Sequence, residues 1–159
     1  MSNRVELPAR AITLRPWWAW AVAHAGKRIE NRSWSTRYRG PIAIHAGCAR
    51  LTPSERRVFA QKLTDAGVDY PDESSMVRGA IVAVAQLLDC AHPLSDPLDP
   101  WGESGFWQWQ LGEVRALERP VPMTGKLGIW HIGSLGAPQN PSGCPPSLLI
   151  GVAPPKKPT

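Results

Sequence analysis

Apolar and polar positions along the chain change period several times, and each change marks an element. "AITL" at 11–14 is a short strand candidate. "PWWAWAVAHAG" at 16–26 has helical length, with Pro16 suited to the first helical position and Gly26 to the C-terminal stop. Helical spacing puts Trp17, Ala21 and His24 on one side, Trp18 and Val22 on a second, and Trp20 on a third. A helix apolar nearly all round is expected to be mostly buried. "IENRSW" at 29–34 reads as a strand, with Glu30, Arg32 and Trp34 on one face and Ile29, Asn31 and Ser33 on the other. A Gly40-Pro41 turn leads into a strand that runs through His45 and ends at Gly47. Thr52-Pro53-Ser54-Glu55 is a capping box with proline at the first helical position. The helix it opens is expected to carry Val58, Phe59, Leu63 and Ala66 inward and to stop at Gly67.

Residues 68–79 read as a loop, and "GAIVAVAQLLDC" at 79–90 as a buried strand rich in β-branched residues. A proline-broken loop spans 91–105. Residues 106–117 alternate again, with Trp107, Trp109 and Leu111 on one face and a bulge expected at Gly112. A short strand at 129–132 closes the series. From Gly133 on, Gly, Pro and Ser dominate without an apolar period. The chain is therefore divided into a domain at 1–132 and a poorly ordered tail at 133–159. About six strands and two main helices without regular βα alternation argue against a doubly wound parallel sheet. The expected class is α+β, a small mixed β-barrel with two peripheral helices.

Composition narrows this picture. A length of 159 residues suits one domain, and 43% hydrophobic with 19% charged residues reads as soluble and globular. The longest apolar run, from Gly79 to Leu88, is too short to span a membrane, and no signal segment opens the chain. Three widely spaced cysteines, Cys48, Cys90 and Cys144, with no CxxC pair, predict reduced thiols and a cytoplasmic setting. The net charge of +5 is unevenly placed. Six basic residues and one acid lie between Lys27 and Arg50, while acids gather at Asp65, Asp69, Asp72 and Glu73 and again at Asp89, Asp96, Asp99 and Glu103. Such a patch is the footprint of a phosphate-bearing partner, or else a solvated face.

Within the patch, two cations flank one carboxylate: Lys27 at the helix-to-strand turn, then Glu30 and Arg32 on one strand face. The carboxylate can orient the cations, and the cations can receive a phosphate or carbonyl oxygen. An internal ion pair that only fixes the turn is the alternative. Trp34 shares their face and is a candidate for base stacking, as are Tyr38 and one of Trp17 and Trp18. His45-x2-Cys48 and Cys90-x-His92 offer four zinc-ligand types, but their spacings match no standard framework. No metal and no cofactor are expected. No phosphate-cradling glycine loop and no nucleophile-base arrangement can be read.

"LRPWWAWAVAHAGKRIENRSWSTRYRGPIAIHAG" resembles an ASCH domain (activating signal cointegrator 1 homology), a member of the PUA-like superfamily. The family pattern G-x-K-x-x-E-x-R is matched by Lys27, Glu30 and Arg32, with Gly26 directly before the lysine. "RGAIVAVAQLLDC" is similar to the family's central strand, and "FWQWQLGEVRALERPVPMTGKLGIWHI" to its closing strands, so the resemblance spans roughly residues 10 to 132. It implies a PUA-like barrel with Lys27, Glu30 and Arg32 in a cleft beside the first helix. It also implies RNA or single-stranded DNA as partner, with a nucleotide or modified nucleoside as a further candidate; a monomer is expected. Arg28, Arg37 and Arg39 are then expected at phosphates, with Trp17, Trp18, Trp34 or Tyr38 on a base. Some small relatives hydrolyse acylated cytidine with the motif lysine, a threonine three residues later and a distant glutamate. Glu30 stands at the threonine position here, which removes that hydroxyl. Under an enzyme reading, as nucleoside hydrolase or ribonuclease, Lys27, Glu30 and His45 are the catalytic candidates.

Overall fold

A computed structural model describes residues 5–133 and Cys144. The elements are β1 (Arg10–Leu14), α1 (Pro16–His24), β2 (Ile29–Arg32), β3 (Gly40–Ala46), α2 (Pro53–Ala66), β4 (Ala80–Ala91), β5 (Trp107–Pro122) and β6 (Ile129–His131). All six strands join one mixed sheet in the order β2-β5-β4-β3-β1-β6. The β1–β3 pair is parallel and the others are antiparallel.

The sheet curls into a half-barrel, and one contact shows how far. β1 lies four strands from β2, which in a flat sheet would set them about 19 Å apart. Yet the Arg32 guanidinium on β2 donates through Nη2 to the Thr13 carbonyl on β1, at 2.8 Å. Curling has brought the two together without backbone pairing, and α1 connects them in the chain.

Alternation along β1 and β3 sorts the core. Ile12, Leu14, Ile42, Ile44 and Ala46 pack with Ala19 and Val22 of α1, while Ala11, Ala43 and Ile81 pack with Trp130 of β6 on the other face. A further cluster joins the helices, with Trp17 of α1 against Phe59 and Leu63 of α2 and Trp101 of the β4–β5 loop. The capping box opens α2 as its sequence predicts, with Thr52 Oγ1 accepting from the Glu55 amide, and Gly67 ends it at a φ of +69°. Val58 is 46% exposed rather than inward. It neighbours Phe59, about 100° round the helix, and Phe59 takes the inward position. β5 runs past Gly112 to Pro122 because irregularities in the β4–β5 register absorb the break in alternation.

Cys48 and Cys144 form a disulfide with a Cα–Cα distance of 5.7 Å, which corrects the expectation of three reduced thiols. The partners are 96 residues apart, so spacing gives no hint of the pair. Cysteine usage therefore no longer argues for a cytosolic chain. Cys90 is the free cysteine. Apart from Gly133 and Cys144, the Gly- and Pro-rich tail lies outside the described residues. Among the described residues no helix is long and apolar enough to cross a membrane.

Candidate functional site

The seam where β2 approaches β1 is open on one side and forms a cleft of about 340 Å³. Thr13, Leu14, Arg15, Trp18, Lys27 and Glu30 line it, together with Asn31, Arg32 and Glu103. Gly26 sets up the cleft: its φ of +73°, costly for any residue with a Cβ, lets the chain leave α1 and enter β2.

Lys27 follows at 2% exposure. Its ammonium donates to the Ile29 carbonyl and to Glu30 Oε2, the latter at 2.9 Å. Glu30 Oε1 lies 3.2 Å from Arg32 Nε, close enough for ion pairing but without the alignment of a hydrogen bond. One carboxylate thus holds two cations, and Arg32 is fixed further by Thr13. A buried charge persists only when paired and hydrogen-bonded, and Lys27 and Glu30 meet that condition, while the buried Arg32 Nε–H has the ion-pair contact alone.

The remaining wall comes from a distant loop. Asn31 Nδ2 donates to the Trp101 carbonyl and Asn31 Oδ1 accepts from the Glu103 amide, both at 2.8 Å. Lys62 of α2 clamps the same loop through the Gly102 carbonyl at 2.7 Å. These bonds hold Glu103 at the cleft, and its carboxylate has no hydrogen-bond or ion-pair partner among the described residues. At the rim, Arg15 pairs with Glu55 at 2.8 Å. The Thr52 amide holds the Glu55 carboxyl below its ordinary pKa, and Arg15 adds a smaller pull in the same direction.

Behind β1 lies a neutral chain of hydrogen bonds. The Met123 carbonyl can only accept, so His45 Nε2 carries the proton in the 2.7 Å bond between them. Trp130 Nε1 donates to Thr13 Oγ1 at 3.1 Å, and the Thr13 hydroxyl is then free to donate to His45 Nδ1 at 3.2 Å. Burial is the main cause that pushes the His45 pKa down, against the Met123 bond that raises it. Gly125 closes the packing, since a Cβ there would stand 2.6 Å from Thr13 Oγ1 and from the His45 ring.

Of the residues singled out in the sequence, the structure gathers Trp18, Lys27, Glu30 and Arg32 at the cleft. Trp17 is buried against Phe59 and Tyr70 instead. His45 is 1% exposed, has both ring nitrogens engaged, and does not line the cleft. Arg28 bonds the Val22 and Lys27 carbonyls, and Arg39 pairs with Asp89 at 3.2 Å. Tyr38 donates to the Pro41 carbonyl, and Arg10 sits over its ring. Arg37 is exposed. Trp34 is 38% exposed and lies outside the cleft lining. His45, Cys48, Cys90 and His92 do not converge, and no group of three or more His, Cys, Asp or Glu among the described residues could hold a metal.

Sequence reasoning missed Thr13, Arg15, Asn31 and Glu103. Asn31 stood inside the motif, and its reach to a loop 70 residues away had no local signal. Glu103 stood only as one acid in a run of acids. Comparison with protein-family models gives no match, and comparison with curated proteins gives none either.

Proposed function

We propose that the chain is an ASCH-like, PUA-type domain whose cleft receives a nucleobase from RNA or single-stranded DNA. The observation that carries this reading is that the buried Lys27–Glu30 pair, the half-buried Arg32 and an unpartnered Glu103 line one cleft with Trp18. A nucleobase edge carries N–H donors and carbonyl or ring-nitrogen acceptors side by side. Fixed cations beside a carboxylate with open lone pairs complement such an edge, and an indole suits its flat face. The resemblance in residues 10–132 supports the same partner class.

The charges of the 26–40 stretch refine the picture. Lys27 and Arg32 share the Glu30 carboxylate and Arg39 pairs with Asp89, so three of the five cations of this stretch are already engaged by carboxylates. The base-receiving cleft carries the recognition, with phosphates held by fewer cations than the sequence suggests.

A hydrolase acting on a modified nucleoside, or a ribonuclease, is the second reading. Glu103 supports it, because an unpartnered carboxylate in a cleft is a candidate general base. Titration with nucleoside monophosphates and short oligonucleotides, beside incubation with an N-acylated nucleoside and with RNA, separates the two. The binding reading expects saturable binding that Arg32→Met weakens, with every substrate recovered intact. Product formation transfers the site to the second reading, and absence of both binding and turnover removes the first.

A further inference from the structure

Arg32 belongs to two surfaces. It lines the cleft, and its guanidinium also lies 6.0 Å from the Trp109 ring. Along the β2–β5 ladder Glu30 is opposite Trp109 and Arg32 is opposite Trp107, so all four side chains leave the same face of the sheet. Cys90 of β4 is opposite Trp109 on that face as well. Further aromatics cover this end. Trp34 meets Trp109 edge to face at 4.7 Å, held there by the Trp109 indole N–H on the Trp34 carbonyl at 3.2 Å. His92 lies against Trp107 at 4.6 Å with a 41° tilt.

Packing accounts for Trp109, which is fully buried, and for the part of Trp107 that lies against the same core, but not for the open ring surface beside them. Trp34 keeps 38% of its surface in water, Trp107 is half-buried and His92 is exposed. Three partly open rings thus follow directly from the cation that walls the cleft. Aromatic faces on a sheet, interleaved with cations, are how sequence-tolerant single-strand binding is built, because every base has a π-face.

We infer that this face is a second subsite, where Trp34 and the Trp107–His92 pair stack the nucleotides next to the one in the cleft. The inference rests on the proposed function and deepens it: the ligand is a polymer, since a lone nucleoside has nothing to lay on the strip. Arg32 is directly opposite Trp107 on the neighbouring strand, where side chains stand about 5 Å apart, so the strip begins within one nucleotide of Arg32. Exposed Arg37, in the connection that follows Trp34, adds the positive charge a phosphate needs.

The test compares the affinity of a mononucleotide with that of a tetranucleotide, in the ribo and deoxy series. A tetranucleotide with abasic sugars at its last three positions serves as the control for charge alone. The measurements use wild type, Trp34→Ala, Trp107→Leu and His92→Ala, with thermal melting as the fold control. His92 is exposed, so its variant keeps the test open should a tryptophan variant fail to fold. The expected result is that the full tetranucleotide binds at least about tenfold more tightly than the mononucleotide. Most of that gain should vanish with the abasic control and with the folded strip variants. A mononucleotide that binds as well as the tetranucleotide overturns the strip and leaves the cleft standing. So does a length gain that the abasic control or the variants retain. Absence of binding by any of these ligands overturns cleft and strip together. The ribo and deoxy arms show which backbone the strip takes.

Discussion

The cleft and a groove elsewhere on the sheet enclose similar volumes, about 340 and 290 Å³. The groove is lined by Glu6, Gln86, Glu113 and Arg115 among others, so both hollows have charged walls. They differ in what fixes those charges. Lys27, Glu30 and Arg32 are held by one another and by the Ile29 and Thr13 carbonyls. Glu6, Glu113 and Arg115 are exposed, and none makes an ion pair among the described residues. A ligand entering the groove would have to order those long side chains itself, at a cost in rotamer entropy. The cleft presents its groups already oriented. Volume alone therefore does not mark a site; buried partners behind the charges do.

The largest expected effect sets Glu30 against Glu113. Glu30→Ala strands Lys27 and Arg32 and should destabilise the fold by about 3–5 kcal/mol in urea unfolding. Glu113→Ala in the groove should stay within about 0.5 kcal/mol. Equal losses would erase the distinction between the two hollows. Next in size is recognition. Glu103→Gln exchanges an acceptor-only group for one that also donates, and should change discrimination among bases by about 1–3 kcal/mol in competition binding. Arg115→Ala should leave base discrimination as it was.

The buried histidine behind the cleft gives a pH signature. The folded state disfavours His45 protonation, so the unfolded chain binds the proton first as pH falls below about 6.5. Stability should therefore be full above that pH and decline below it, by at most about 1.4 kcal/mol per pH unit, until the depressed folded pKa is passed. His45→Gln should flatten the decline between about pH 7 and pH 5 in melting experiments. An unchanged slope would remove the neutral chain through Thr13 from this account. Smaller still, Arg37→Ala should flatten the salt dependence of single-strand binding by about 0.7 in log affinity against log salt. Arg39→Ala removes an exposed pair with Asp89 and exposed bonds to the Thr36 and Tyr38 carbonyls, and should cost about 1 kcal/mol of stability.

Local order was legible in the sequence wherever its cause was local. The Thr52–Glu55 box, the Gly67 stop, the turn at Gly26 and the shared face of Glu30 and Arg32 all follow from spacing and residue type. The same pattern supplied one side of the cleft. The other side comes from Thr13, Arg15 and Glu103, which only the curl of the sheet and the Asn31 clamp bring into place. A pattern read along a single strand carries no information on that curl. Positive charge was also misleading when counted alone, since Asp89 from a distant strand pairs with Arg39, which stands bare in the sequence. Cys144 pairs across 96 residues with Cys48 for the same reason: proximity made by folding leaves no mark in spacing.

The central claim is that the cleft, and not the groove, receives a base. Proton–nitrogen correlation spectra during titration with nucleoside monophosphates test it most directly, with the Trp18 indole and Arg32 Nε–H as reporters of the cleft. The account predicts saturable shifts at Trp18 and Arg32 and at the Glu103 amide, which Asn31 holds at the cleft. The backbone amides of Gln86, Glu113 and Arg115 in the groove should stay still. Shifts confined to the groove, or no shift at Trp18 and Arg32 at saturating ligand, would contradict it.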